Sequence, residues 1–153
     1  MDDKNVSGEI YGMPSFVILR VADPAQSKSW YEMVLGFKHI FSMPGPRGIP
    51  LLVHLRWTKY ADLLLQHQHD SDKTIEKGKG LTLNFAVTSG TVDELAERAR
   101  QYGAAIVSEP KNQPWNARDF SVADPDGFIL TFTKGPVDEW LEMDSIVKRN
   151  SGR

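Results

Sequence analysis

The sequence contains no cysteine. That excludes disulfides, thiolate metal sites and a cysteine nucleophile, and it suits the reducing cytoplasm in which the chain is expected to work. No apolar run approaches the roughly 18 residues that a membrane span requires. The stretch Met1-Asp2-Asp3-Lys4-Asn5 is acidic and polar, with no apolar segment behind it such as a secretory leader carries. Excess charge of one sign is also missing. The 18 Lys and Arg stand against 20 Asp and Glu, a net charge of −2, so bulk electrostatics favour neither nucleic acid nor an anionic membrane as a partner. There is no Ser-His-Asp order, no phosphate-cradling glycine loop and no dinucleotide fingerprint. Gly78-Lys79-Gly80 precedes a strand pattern rather than a helix, so it lacks the setting that phosphate binding needs. What remains is an ordinary globular composition, 41% hydrophobic and 25% charged over 153 residues, enough for one domain or two small fused modules.

The order of patterns repeats. After a loose arm over residues 1–13, Ser15 to Val21 reads as a strand, with Val17, Leu19 and Val21 on one side and Phe16, Ile18 and Arg20 on the other. Asp23 then caps a helix over residues 25–34 that opens on Pro24, carries Trp30, Tyr31 and Val34 toward the core, and closes at Gly36. Strands are expected at residues 39–43, 50–58 and 60–67, and a polar linker at 68–80. The second round runs strand 81–87, helix 91–102 with Leu95, Ala99 and Tyr102 as its stripe, and Gly103 after it. A strand at 105–108, a loop at 109–116 and a hairpin follow. The hairpin turns at Asp124-Pro125-Asp126-Gly127, where Pro presets φ for the first corner and Gly accepts φ > 0. A tail over residues 135–153 reads either as a short helix from Val137 to Val147 or as a fraying terminus.

The closing hairpin, Arg118-Asp119-Phe120-x-Val122-x-Asp124-Pro125-Asp126-Gly127-Phe128-Ile129-Leu130, resembles that of the vicinal oxygen chelate superfamily, which holds glyoxalase I, extradiol dioxygenases and bleomycin-resistance proteins. The opening phrase Ile18-Leu19-Arg20-Val21-Ala22-Asp23 followed by Trp30-Tyr31-Glu32-Met33-Val34-Leu35-Gly36-Phe37 is close to that family's first module. The resemblance covers about residues 14–134. It implies an α+β fold of tandem βαβββ modules, 14–67 and 81–134, forming a curled mixed sheet around a cleft.

In metal-using members the ligands are His or Gln on the first strand and Glu, His and Glu on the fourth, fifth and eighth. By resemblance those positions are Phe16, Asp62, Thr82 and Thr131 here. A benzyl group and two neutral hydroxyls make a poor divalent site, so neither metal nor other cofactor is expected. The resemblance and the strand patterns put Phe16, Trp57, Trp115 and Phe120 forward as cleft walls. Arg20, His54, Asp62, Thr82, Asn84, Arg118 and Thr131 stand as polar anchors. Gln113-Pro114-Trp115-Asn116-Ala117-Arg118-Asp119 is similar to a loop common among bleomycin-resistance-like members, with Arg118-Asp119 read as a local ion pair. His39, His67 and His69 read as surface.

The function this implies is metal-independent binding of a small aromatic or planar molecule, such as an antibiotic held in sequestration, in a cleft of a homodimer. The alternative is a superfamily enzyme (a lyase, isomerase or dioxygenase) with a displaced metal or none, for which Asp62 with His54 or His67 is the nearest acid–base set. A regulatory role in a biosynthetic or stress pathway is the third reading.

Overall fold

The computed structural model describes residues 6–152, so the first five residues of the expected arm lie outside it. The first module runs β1 (Val17–Val21), α1 (Pro24–Trp30), β2 (Lys38–Met43), β3 (Leu52–Thr58) and β4 (Ala61–His67). The second runs β5 (Thr82–Ala86), α2 (Val92–Gln101), β6 (Ala105–Gln113), β7 (Ala117–Ala123) and β8 (Ile129–Lys134), with α3 (Met143–Asn150) in the tail. The sheets have matching orders, β1-β4-β3-β2 and β5-β8-β7-β6. In each, the first strand pairs parallel with the last and the remaining pairs are antiparallel. The fold is α+β, and neither sheet closes on itself.

Local chemistry sets the helix ends. Asp23 accepts the N–H groups of Ala25 and Gln26 at 3.1 Å each, and Pro24 fills the first helical position, where no N–H is needed. The helix continues as a wider π turn over Tyr31–Leu35 and stops at Gly36, whose φ of 78° suits a residue without Cβ. Thr91 and Glu94 form a reciprocal cap on α2.

Alternation along the strands makes the core. Leu19 and Val21, Val53, Leu55 and Trp57, and Leu63 and Leu65 bury one face of the first sheet, while Leu83, Phe120, Val122, Leu130 and Phe132 lie in the core from the second. Both helices lie on this side, and Arg98 of α2 donates to the Met33 and Glu32 carbonyls at 3.0 and 3.2 Å. An aromatic seam joins the modules: Trp57 lies 5.3 Å from Phe37 and 4.9 Å from Phe132, and its Nε1–H donates to the Ala86 carbonyl at 2.7 Å.

A second tie is Tyr31, whose hydroxyl donates to Asp124 Oδ2 at 2.8 Å while Asp124 Oδ1 accepts the Asp126 and Phe128 N–H groups of the hairpin turn. Burial, with Asp124 beside it, pushes the Tyr31 hydroxyl well above its usual range, and burial likewise raises Asp124. A carboxyl raised by folding contributes stability below its ordinary titration range and loses it as pH rises through the raised value. Tyr31→Phe removes the bond that favours the ionised form. It is expected to cost about 1–3 kcal/mol at neutral pH, shrinking on acidification, as read by urea unfolding across pH. An equal cost at every pH would contradict this role for Tyr31.

Four local expectations are corrected. The strand expected to end at Ser108 continues to Gln113, because β6 is an edge strand whose pairing slips between Ser108 and Lys111 and so tolerates Pro110. The buried stripe of α2 is Val92, Leu95, Ala96 and Ala99; Tyr102 lies past the last helical residue and is exposed. The tail helix starts at Met143 rather than Val137, with Ile146 buried and the Asn150 amide donating to the Pro114 carbonyl at 2.9 Å. The segment expected as a polar linker is docked. Asp72 is buried, pairs with Arg20 at 2.8 Å and accepts the His69 N–H at 2.8 Å. Gly78, at φ 77°, lies so close to the hairpin turn that a Cβ there would stand 2.2 Å from the Gly127 carbonyl oxygen.

Candidate functional site

The face opposite the helices carries two neighbouring concavities. Phe16, just ahead of β1, Asp62 on β4, and Thr82 and Asn84 on β5 line one concavity of roughly 440 Å³, together with Ser15, Thr58 and Tyr60. Four expected site residues therefore meet there. Arg20 lines a neighbouring concavity of roughly 480 Å³ with Ile18, Lys77 and Leu81. Thr82 and Asn84 are exposed, and the Asn84 amide donates to the Thr82 hydroxyl at 3.2 Å.

Beside the first concavity lies a charged cluster. Arg56 Nε and Nη2 donate to Asp62 Oδ1 and Oδ2 at 2.7 and 2.8 Å, and His54 Nε2 sits 2.5 Å from Asp62 Oδ2. Side-chain exposure is 1% for Arg56 and 0% for Asp62, so this is a desolvated ion pair of the fork-to-fork kind. The amino-terminal arm covers it. Arg56 Nη1 donates to the Ser7 and Glu9 carbonyls at 2.8 Å each, and the Tyr11 ring lies 4.2 Å from the guanidinium carbon. The Tyr11 hydroxyl accepts the Tyr60 N–H at 2.9 Å. The arm expected to be loose is thus pinned over its described part.

The positions that hold metal in related folds do not fit a metal here. Phe16 has no donor atom, Asp62 has both oxygens engaged by Arg56, and the buried Thr131 hydroxyl is spent on Ser121 at 2.7 Å. Among the described residues no three His, Cys, Asp or Glu side chains gather as a metal site would require.

Several expected site residues are elsewhere. Trp57 and Phe120 are core residues, 1% and 0% exposed, because strand alternation turns them toward the helices. Trp115 is exposed in the turn between β6 and β7 and lines neither concavity. Arg118 and Asp119 do not pair with each other: as successive strand residues they point to opposite faces. Arg118 instead grips Asp93 of α2 through Nε and Nη2 at 2.7 and 2.8 Å, a bond that holds the Asp93 carboxyl below its usual range, while Asp119 accepts the Gln113 amide at 2.8 Å. His67 and His69 are exposed, and His39 pairs with the Ser42 hydroxyl at 2.7 Å. Tyr60 and Tyr11 carried no sequence signal. Tyr60 sits at φ 63° in a tight turn that holds no glycine, and Tyr11 lies in a stretch without periodicity.

Two βαβββ modules, each a four-stranded sheet with its helix packed on one face, define the architecture of the glyoxalase-like folds. The comparisons agree. The chain belongs to the Glyoxalase/Bleomycin resistance protein/Dioxygenase superfamily, whose sequence profile matches residues 14–132. The crystal structure of TioX from Micromonospora sp. ML1 is 26% identical, covers 81% of this chain and 97% of its own, and superposes with a TM-score of 0.63. TnmS3, an antibiotic binding protein from Streptomyces sp. CB03234, is 24% identical with 82% and 96% coverage and a TM-score of 0.60. A glyoxalase-related enzyme from Fulvimarina pelagi is 20% identical with 83% and 91% coverage and a TM-score of 0.65. No curated protein matches the chain. Among the described residues no helix is long and apolar enough to cross a membrane.

Proposed function

We propose that the chain binds a small aromatic or planar molecule on its helix-free face without using a metal. The observation that carries this reading is the concavity lined by Phe16, Tyr60, Asp62, Thr82 and Asn84. It combines ring surfaces with hydroxyl and amide groups, the mixture a small-molecule pocket needs. Its inherited carboxylate is neutralised by Arg56. Antibiotic sequestration is the form of binding that suits this site, and a relative described as antibiotic binding shares the fold.

A second copy of the chain completes the cleft in this reading. Phe16, Ile18 and Leu81 are 52%, 46% and 56% exposed on the open face, apolar surface that a symmetric partner would cover. Sedimentation of the purified chain is expected to give a dimer.

Calorimetric titration against a panel of planar aromatic compounds is expected to find a binder whose affinity falls at least about tenfold in Phe16→Ala, the loss of one aromatic contact of ~1–2 kcal/mol. Metal analysis of protein purified without chelator is expected to find no stoichiometric transition metal. A stoichiometric metal, or a panel without binders, would sink this reading.

A further inference from the structure

We propose that His54 is a fixed hydrogen-bond acceptor on the helix-free face, and that it selects aromatic ligands bearing an acidic hydroxyl, the phenol and naphthol class. This rests on the reading above that the face binds ring molecules. Arg56 sets the sequence of consequences. Its guanidinium grips both Asp62 oxygens, and a carboxylate held in that way is ionised and only accepts. The Asp62 Oδ2 lies 2.5 Å from His54 Nε2, so Nε2 carries the hydrogen. In a neutral imidazole with its hydrogen on Nε2, the other nitrogen, Nδ1, holds an unshared pair. It has no partner among the described residues, and it is not among the polar atoms sealed from solvent.

The surroundings choose the ligand. The neighbours Val53 and Leu55 fill the core, so His54 projects to the opposite face of β3. The Phe41 ring stands edge-on to it at 5.4 Å, and Leu64 is its cross-strand partner. A lone acceptor between apolar walls favours a flat molecule that offers one O–H. An anionic ligand finds no free cation at Arg56, which spends Nε and Nη2 on Asp62 and Nη1 on the Ser7 and Glu9 carbonyls.

The test is calorimetric titration of the full chain with 2-naphthol and with 2-methoxynaphthalene, which keeps the ring and blocks the donor. The wild type is expected to bind the naphthol about five- to tenfold more tightly, the worth of one hydrogen bond. In His54→Phe that ratio is expected to fall to near one with the methyl ether bound as before. His54→Gln, whose amide oxygen still accepts, is expected to keep part of it. Should His54→Phe not fold by circular dichroism, His54→Gln decides: a lowered ratio supports the assignment and an unchanged one overturns it. Equal binding of both compounds by the wild type, or a preference that survives in both variants, overturns the role of His54 and leaves ring binding standing. A wild type that binds neither compound removes both.

Discussion

Arg56→Met is expected to destabilise the protein by about 3–5 kcal/mol, because it strips the buried Asp62 carboxylate of its guanidinium partner. Urea unfolding followed by circular dichroism measures it. The expected size follows from the exposures of 1% and 0% for the two partners. An exposed pair such as Lys73–Asp70, with side chains 59% and 97% exposed, would be worth far less. The double variant Arg56→Met/Asp62→Leu removes both charges and is expected to recover at least half of the loss. Amide exchange adds a local readout. Residues 6–11 are held to the domain partly through the Arg56 bonds to Ser7 and Glu9, so their protection is expected to fall in either variant. A single variant within about 1 kcal/mol of wild type would show that the charges are not desolvated in solution.

Trp57→Ala is expected to cost a similar amount, about 3–5 kcal/mol, for a different reason: it opens a cavity where the largest fully buried side chain of the core stood. The effect should also be uneven. Trp57 belongs to the first module but touches Phe85 and Phe132 of the second and donates to the Ala86 carbonyl. Its loss therefore weakens the seam as well as the core, and unfolding followed by separate probes in each module is expected to lose coincidence. Trp57→Phe keeps a ring and forfeits the indole bond and some volume, with an expected cost of about 1–2 kcal/mol. Near-wild-type stability for Trp57→Ala would mean that the seam carries little of the packing.

The fold was legible in the sequence because its signals are local and occur twice. Asp23-Pro24, Gly36 and the Asp124–Gly127 turn each dictate a cap or a corner without help from distant residues. Facing was legible where alternation settles it, as for Phe16, Asp62, Thr82 and Asn84, which line one concavity. It was misread where alternation gave two choices and an aromatic side chain suggested the wrong one. Trp57 and Phe120 satisfy the demand for bulk in the core, not for a wall of the cleft. The Arg118 pairing with Asp93 joins residues 25 positions apart and leaves no trace in local pattern. The Arg56 cluster draws partners from an aperiodic arm, and nothing in residues 6–13 announces where the arm docks.

The segment between the modules has a consequence for assembly. Asp72 is clasped by Arg20, Lys77 reaches back to the Asp72 carbonyl, and Gly78 rides on the Gly127 carbonyl. A tether fastened at both ends is a poor hinge. Two chains that traded halves would first have to undo these fastenings.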